Sequence, residues 1–272
     1  MGNDSTLHGL VASAQAGDGA ALEQVVRAIQ DNVFDLAVRM LGNAEDARDA
    51  SQEALVRIVT GLGSFRGASS FRTWTYRVAA NALLNYRGAL RRPEITFTQA
   101  GSFLDAAVAK LSEEATDFDP SQHVLVDEVK LAWAHGMLVC LDRPHRLAYI
   151  LGEILDFPGE DASAILEISP VAFRKRLSRA REEMEAFLRT HCGVANPENR
   201  CRCEKLVPLA LSEGLVDPKR LMLGRLPTRE SDRLQVGIER IRTAAEIYRS
   251  MPKYAAPTDL AGALRGLEVD GC

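Results

Sequence analysis

The sequence has few of the features that mark membrane or secreted proteins. In its 272 residues, no apolar run reaches the roughly 18 to 20 residues that a membrane-spanning helix needs. The N-terminus, MGNDSTLHGL, lacks the charged and apolar regions of a signal peptide. Five cysteines in a chain of this length do not make a disulfide framework. We therefore expect a cytoplasmic protein, and the length predicts about two domains.

Sequence signatures of catalysis are also missing. The chain has no glycine-rich phosphate-binding loop, no H-E-x-x-H pair and no nucleophile elbow, so we do not expect an enzyme. Residues 1–92 show no alternation of apolar and polar positions, which a half-buried strand requires. The predicted fold class is all-α, with two helical domains joined by a flexible acidic linker and a mainly helical C-terminal extension.

The net charge of −4 hides a strong segregation of charge along the chain. Residues 65–92 contain six arginines and no acidic residue, whereas residues 93–128 contain eight acidic residues and one lysine. A basic element followed by an acidic connector is expected where the connector must not compete for the ligand of its neighbour. We interpret residues 93–122 as this linker, with a short helix near residues 102–111.

Aromatic and amide side chains are interleaved with the arginines of residues 65–92. Arginines bind phosphates, flat rings stack on exposed bases and amides read base edges, so the combination favours binding of unpaired nucleic acid. The alternative is a buried amphipathic helix with a solvated basic rim. Both interpretations concern the same side chains: Phe71, Trp74, Tyr76, Tyr86, Asn81 and Asn85.

Apolar residues recur with a helical period before this basic stretch. The pattern predicts two helices within residues 7–41, with a break near residues 17–19, and a third helix at residues 44–60. A loop at residues 61–70 precedes a fourth helix at about residues 71–90. The third helix has a polar side that is either an ordinary solvated face or a docking face for a basic partner. Its members are Asp46, Asp49, Gln52 and Glu53.

The order DARDASQEAL, then SFRGASSFRTWTYRVAANALLNYR, resembles region 2 of the extracytoplasmic-function (ECF) sigma factors, the promoter-recognition subunits of bacterial RNA polymerase. The resemblance covers about residues 7–92, and it implies that the polar side of the third helix docks on core RNA polymerase. It also implies that the loop and the fourth helix capture the melted −10 promoter element. The residues expected at this DNA are Arg66, Ser69, Ser70, Phe71, Arg77, Asn81 and Asn85.

The chemistry of the loop agrees with that assignment. The small residues of the segment 67–70 let a backbone approach a flipped base closely, and aromatic rings lie on both sides of them in sequence. Phe71 and Trp74 have a second interpretation as core residues, and for Trp74 we expect the core role.

A second helical domain is predicted at residues 123–189. Its last two helices, at residues 160–166 and 170–188, flank a short turn in which Ser169 supplies an N-cap and Pro170 the first helical residue. A helix, a tight turn and a capped helix form a helix-turn-helix, whose second helix enters the major groove of DNA.

The stretch from Leu141 to Met184 resembles region 4 of the same family, which recognises the −35 element. The resemblance implies DNA contacts for four side chains of the second helix, those of Arg174, Lys175, Ser178 and Arg179. The positive charge of its first turns adds Arg176 as a fifth candidate. Two positions depart from the family pattern: Ala172 replaces a small hydroxyl residue, and Glu167 replaces a glycine in the turn. The turn geometry therefore stays open. The −35 candidates are Arg174, Lys175, Arg176, Ser178 and Arg179.

The C-terminal extension, residues 190–272, carries three cysteines within twelve residues, beside a histidine. In a reducing cytoplasm such a cluster favours a metal over a disulfide, and Zn²⁺ accepts Cys₃His and Cys₄ ligand sets. A thiol redox switch and purely structural cysteines are the alternatives. The candidate ligands are His191, Cys192, Cys201 and Cys203, with Cys272 or an outside ligand in place of the histidine because His191 and Cys192 are adjacent.

Helices are also predicted at residues 206–215 and 228–250 of the extension. The apolar stripe of the second of these helices must be buried. It packs either against the other helices of the chain with no further role, or as part of a regulatory module that folds onto the two domains. Taken together, the patterns predict an ECF-type sigma factor with core RNA polymerase and promoter DNA as partners, and an anti-sigma protein as a further candidate. The alternative is a stand-alone helix-turn-helix regulator with a metal- or redox-responsive tail.

Overall fold

The computed structural model describes residues 2–86, 95–110, 123–219, 248–249 and 253–257. Within these ranges the only extended pairing is a single bridge between Cys192 and Cys201, and all other regular structure is helical, as predicted. The helices are α1 (Gly2–Gln15), α2 (Gly19–Leu41), α3 (Ala44–Thr60), α4 (Phe71–Asn85), α5 (Phe97–Ala109), α6 (His123–Cys140), α7 (Arg143–Tyr149), α8 (Gly159–Ile165), α9 (Pro170–His191) and α10 (Cys203–Ser212).

The first three helices begin and end at residues whose chemistry fixes the boundary. Asp18 caps α2 by accepting hydrogen bonds from the backbone N–H groups of Ala20 and Ala21. Gly42 ends α2 with a φ of 66°, a conformation that glycine adopts without steric cost. Asn43 then caps α3 through the N–H of Asp46, at 2.9 Å. The predicted break near residue 18 and the start of the third helix are therefore confirmed.

Helices α1 to α4 form an N-terminal bundle. Its core includes a cluster of three aromatic rings. Phe65, Phe71 and Trp74 have ring centroids 5.3 to 5.7 Å apart, and all three side chains are buried. Gln15 of α1 donates from Nε2 to the carbonyl oxygens of Leu62 and Phe65, each at 2.9 Å. The loop that leads into α4 is thus fixed to the bundle from both sides.

Helices α6 to α9 form a C-terminal bundle that contains the predicted helix-turn-helix. Ser169 caps α9 through the N–H of Ala172, at 3.2 Å, and Pro170 is the first helical residue. The apolar face of α9 is buried against the rest of the bundle. Helix α7 continues into a π-helical turn, Ile150–Ile154, and Asp142 caps its start.

The acidic linker contains an ordered helix, α5, that packs on the C-terminal bundle. Thr96 and Gln99 form a capping box at its start. The ring of Phe97 lies 5.4 Å from that of Phe187, and Asp105 binds Nδ1 of His191 at 3.0 Å. A side chain at Gly101 would collide with the His191 ring, so glycine permits this close approach. Helix α10 of the extension packs beside α5 on α6 and buries Leu206, Val207 and Ala210.

Two arginines join the two bundles. Arg146 is buried, and its guanidinium donates to the carbonyl oxygens of Met40, Val139 and Leu141, where α2 and α6 end. Arg143 donates from Nη1 to the carbonyl oxygens of Leu84 and Tyr86, at 3.0 and 3.4 Å. These bonds satisfy carbonyl groups that helix ends leave without intrahelical partners.

Two parts of the predicted organisation lie outside the described residues. Of the predicted helix at residues 228–250, only residues 248–249 are described, and the last turn predicted for α4, residues 87–90, is not. No helix of the described ranges is long and apolar enough to cross a membrane.

Candidate nucleic-acid interface

The polar side of α3 is presented to solvent as an acidic surface. Asp49, Gln52 and Glu53 are exposed and Asp46 is half-buried, while the opposite side of the helix lies in the core. Glu53 forms an ion pair with Arg57 one turn later, at 2.5 Å. Exposed ion pairs of this kind contribute little to stability. The surface is therefore accessible to a partner, although its contact with polymerase stays a prediction.

The residues expected at the −10 element lie on the loop before α4 and along one side of that helix. Arg66 and Ser70 are exposed, and Ser69 and Arg77 are half-buried. Ser70 also has a structural role, because its Oγ accepts the N–H of Thr73 at 3.0 Å and so caps α4. Asn85 is exposed and donates from Nδ2 to the carbonyl oxygen of Asn81, at 2.8 Å.

Phe71 is a correction to the predicted set. Its side chain is 1% exposed, and its ring stacks on Trp74 with an interplanar angle of 21°. A ring in this position shapes the loop from below and offers no face to a base. Trp74 is 5% exposed, so the prediction that it belongs to the core is confirmed.

The C-terminal bundle covers part of α4. The guanidinium of Arg72 lies 3.9 Å above the ring of Phe157 and donates to the carbonyl oxygen of Leu155, at 3.5 Å. The same ring meets Tyr76 edge-on at 4.9 Å. Burial raises the pKa of Tyr76 to about 12. Sequence alone did not reveal these contacts, because the two groups of residues are about eighty positions apart.

Asn81 is held by the turn of the helix-turn-helix. Its Nδ2 donates to Oε2 of Glu167 at 3.1 Å. Glu167 has a φ of 53°, the left-handed conformation in which glycine is favoured. The turn therefore keeps the geometry of a glycine-containing turn despite the departure in sequence, and the side chain that replaces glycine reaches the amide expected to read DNA.

The predicted −35 residues form an exposed basic surface on the first three turns of α9. Arg174, Lys175, Ser178 and Arg179 are exposed, and Arg176 is half-buried. Arg181, one turn further on, differs from them because it binds the buried carboxylate of Glu153. The cationic surface thus ends where α9 returns to packing within its own bundle.

The sequence of the chain is similar to those of proteins whose function is known. The chain is 33% identical over 183 residues to the RNA polymerase sigma-H factor of Pseudomonas aeruginosa, and the match covers 66% of this chain and 92% of that protein. The chain belongs to the ECF-type RNA polymerase sigma factors. The predicted function as a sigma factor is thereby confirmed.

A family model and two further relatives agree with this assignment. The Sigma-70 region 2 family matches residues 25–92 of the sigma factor. The ECF RNA polymerase sigma-E factor of Haemophilus influenzae is 30% identical over 195 residues, covering 68% of this chain and 96% of that protein. The sigma-E factor of Escherichia coli K12 is 29% identical over 180 residues, covering 65% and 91%. A solved structure of CnrH in complex with the cytosolic domain of CnrY is 24% identical, with a TM-score of 0.47, and covers 66% of this chain and 96% of that chain.

The Glu167→Gly variant of the sigma factor is expected to be more stable than the parent by about 1 kcal/mol, because it removes a Cβ atom from a left-handed backbone. Urea unfolding followed by circular dichroism measures this difference. Glu167→Gln is the matched control, since it keeps the strained backbone and an oxygen that accepts from Asn81. Equal urea midpoints for Glu167→Gly and Glu167→Gln would contradict the prediction of backbone strain at residue 167.

Three of the four extension cysteines of the sigma factor lie together on the wall of one apolar cavity. Cys192, Cys201 and Cys203 share this wall with Leu104, Trp133, Met137, Phe187 and Leu188. Burial raises the pKa of Cys201 to about 11 and that of Cys203 well above its usual range, and the neighbouring thiols add to both shifts. These two thiols are therefore protonated at neutral pH.

His191 points away from this cavity, to Asp105 and the ring of Phe187. In the described ranges, no group of three or more His, Cys, Asp or Glu side chains is arranged to hold a metal ion. Metal binding at His191, Cys192, Cys201 and Cys203 stays a prediction. Cys272 lies outside the described residues.

Two polar side chains close the loop between Cys192 and Cys203. Asn199 donates from Nδ2 to the carbonyl oxygens of Arg189 and Cys192, at 3.0 and 3.1 Å. Arg202 donates to the carbonyl oxygens of Pro197 and Cys201, at 2.9 and 2.8 Å. The Asn199 side chain therefore fastens the loop that contains the cysteine motif to the end of α9, and the Arg202 side chain fastens the loop to itself.

Proposed function

We propose that residues 1–92 of this sigma factor bind core RNA polymerase and the melted −10 element, and that residues 123–189 bind the −35 element. The spatial separation of charge carries the proposal. One exposed surface is acidic, on α3, and another is basic, on the first turns of α9. An acidic surface suits docking on a protein, whereas exposed arginines suit phosphates and base edges.

For the −10 element, the amides of Asn81 and Asn85 are the base-reading groups, and Arg66 and Arg77 bind the backbone. An amide can donate to and accept from a base edge at the same time, which a cation cannot do. Ser69 and the loop around it provide space for a base that has left the stack. Phe71 supports the loop from the core.

Promoter binding requires the two bundles to separate at α4. Glu167 now binds Asn81 of α4, and Phe157 lies against Arg72 of the same helix. Unpaired DNA and the turn of the helix-turn-helix compete for the same amide. The described arrangement is therefore the closed state of the sigma factor, and the DNA-bound state is open.

Run-off transcription with purified core RNA polymerase and genomic promoter fragments tests the proposal. The Asn81→Ala/Asn85→Ala variant is expected to reduce specific initiation by about fivefold or more for each amide, because a good base contact is worth about 1 to 3 kcal/mol. Asn32→Ala, which removes an amide from α2, is the control and keeps full activity.

Unchanged initiation in the double variant would contradict the proposal that Asn81 and Asn85 read the −10 element. Binding of the full chain to duplex promoter DNA without any support of initiation would favour a stand-alone helix-turn-helix regulator. Loss of initiation with normal binding to core polymerase supports the assignment of the two amides to the −10 element.

We also propose where the protein acts and what else it binds. As an initiation factor, the chain acts on core polymerase and promoter DNA in the cytoplasm and has no catalytic activity of its own. A separate anti-sigma protein is a candidate partner for the exposed surfaces of α3 and α9. A metal ion at the cysteine cluster is a candidate ligand, and metal analysis of the purified protein tests it.

A further inference from the structure

Residues 248–249 and 253–257 of the extension, here called the strap, touch both bundles. These residues are far from any promoter-contacting candidate in sequence, and the proposed function makes no use of them. Their contacts fall into two groups, one on the C-terminal bundle and one on α2 of the N-terminal bundle.

The first group fixes the strap to the C-terminal bundle. The side chain of Tyr248 is fully buried, and its hydroxyl donates to the carbonyl oxygen of Ala134 in α6, at 2.6 Å. Its ring meets that of Tyr149 edge-on at 5.6 Å. Arg249 donates from Nε to the carbonyl oxygen of Glu153 at 2.7 Å and binds the Glu153 carboxylate at 3.3 Å.

The second group fixes the strap to α2. The backbone N–H of Tyr254 donates to Oδ1 of Asp35 at 3.0 Å, and that of Ala256 donates to Oδ1 of Asp31 at 2.9 Å. The hydroxyl of Tyr254 pairs with Nε2 of His135 in α6 at 2.5 Å. Burial lowers the pKa of His135 to about 4, so this ring is neutral at pH 7.

The spacing of donors on the strap matches the spacing of acceptors on α2. Residues two apart in an extended segment are about 6.6 Å apart, and residues four apart in a helix rise by about 6 Å. The N–H groups of residues 254 and 256 therefore reach carboxylates one helical turn apart, with the strap antiparallel to α2. In an extended segment successive N–H groups point in opposite directions, so we expect the N–H of Ala255, between the two donors, to face away from this row.

The strap covers charge as well as apolar surface. Asp35 forms a buried ion pair with Arg39, at 3.0 Å, and the guanidinium of Arg39 lies 5.4 Å from the centre of the Tyr254 ring. Water can replace the strap at these groups when it leaves, because they are charged or polar. A contact of this kind is directional but releasable, unlike an apolar interface.

We propose that the strap is an intramolecular brace that holds the two bundles in the closed state and so keeps Asn81 covered. The surface that it occupies, made by Asp31 and Asp35 of α2 with His135 of α6, recognises an extended peptide with a tyrosine and two N–H donors in register. The occupant is this chain's own residues 253–257. The proposal rests on the proposed role of Asn81 in reading the −10 element.

The test uses the full chain with single proline substitutions. Ala256→Pro deletes the N–H that binds Asp31, and Ala255→Pro is the matched control because it deletes the neighbouring N–H that faces away. Tyr254→Ala removes the ring and the hydroxyl from the same surface. Hydrogen exchange of the α4 and α8 amides reports separation of the bundles, and run-off transcription at limiting core polymerase reports access to the promoter.

Ala256→Pro and Tyr254→Ala are each expected to raise the open population, and with it initiation, by about tenfold, because each removes a hydrogen bond to a charged or buried partner. Amides of α4 and α8 that face each other exchange faster in both variants and not in Ala255→Pro. Equal exchange and equal initiation in the two proline variants would overturn the brace.

The two proposals fail in different ways. If Asn81→Ala/Asn85→Ala loses initiation while Ala256→Pro matches Ala255→Pro in every measurement, the brace is wrong and the −10 assignment stands. If Ala256→Pro opens the bundles in hydrogen exchange while the asparagine double variant initiates normally, the brace holds the closed state and the −10 assignment is wrong.

Discussion

Arg146→Ala is expected to lower the free energy of unfolding by about 3 to 5 kcal/mol, because it leaves carbonyl groups at two helix ends without their donors. The guanidinium reaches the carbonyl oxygens of Met40, Val139 and Leu141 from a buried position. Removal of the side chain also opens a cavity at the junction of the two bundles. Urea titration followed by circular dichroism measures the loss.

Arg143→Ala is the matched control for this prediction. Arg143 lies three residues earlier, is half-buried and donates to two carbonyl oxygens, those of Leu84 and Tyr86. Its loss is expected to cost about 1 kcal/mol, since water reaches those oxygens. If Arg146→Ala and Arg143→Ala lowered the free energy of unfolding by similar amounts, burial of Arg146 would add nothing to stability.

Phe71→Ala is expected to cost about 3 to 5 kcal/mol and to abolish promoter-specific initiation, because the ring fills the core beneath the loop at residues 66–70. Phe71 is almost fully buried between Phe65 and Trp74. A cavity at this place lets the loop collapse. Thermal unfolding and run-off transcription measure the two effects.

Phe71→Leu separates packing from base stacking. Leucine refills most of the volume and is expected to cost less than about 1.5 kcal/mol, with initiation kept. If the ring stacked on a base, the leucine variant would fold normally and still fail to initiate. That outcome would restore Phe71 to the DNA-contacting set.

The closed state links these energetic predictions to promoter recognition. Arg146 joins the bundles near the ends of α2 and α6, while the strap joins them through Asp31, Asp35 and His135. The first contact is a buried guanidinium that bonds to backbone carbonyl groups at two helix ends, whereas the second is made largely by polar and charged side chains that water can hydrate when the strap leaves. Release of the strap is therefore the less costly of the two steps that opening requires.

The sequence was sufficient for those features that depend on neighbours along the chain. Ser169 caps the helix that it was expected to cap, and Asp18 and Asn43 cap helices that begin where the pattern predicted a break or a start, because a cap is a hydrogen bond between near neighbours in the chain. The helical period also predicted the buried sides of α3 and α9. The motif order was enough to predict an ECF sigma factor.

Features that join distant residues could not be predicted in this way. Phe71 has the same residue type whether it stacks on a base or on Trp74, and only packing decides between them. The cysteine spacing suggested a ligand set, but His191 lies with Asp105 and the thiols line an apolar cavity. No local pattern states which helix a side chain will meet.

The sequence by itself determined the family of this protein and most of the described helices, since short-range hydrogen bonds and periodic burial depend on neighbouring residues. Some boundaries differ: the helix predicted at residues 102–111 is α5, Phe97–Ala109, and the one predicted at 206–215 is α10, Cys203–Ser212. The tertiary structure alone decided that Glu167 reaches Asn81, that Arg146 joins the bundles and that the strap lies antiparallel on α2. Those contacts depend on the relative placement of elements up to 225 residues apart, which packing of the whole chain sets.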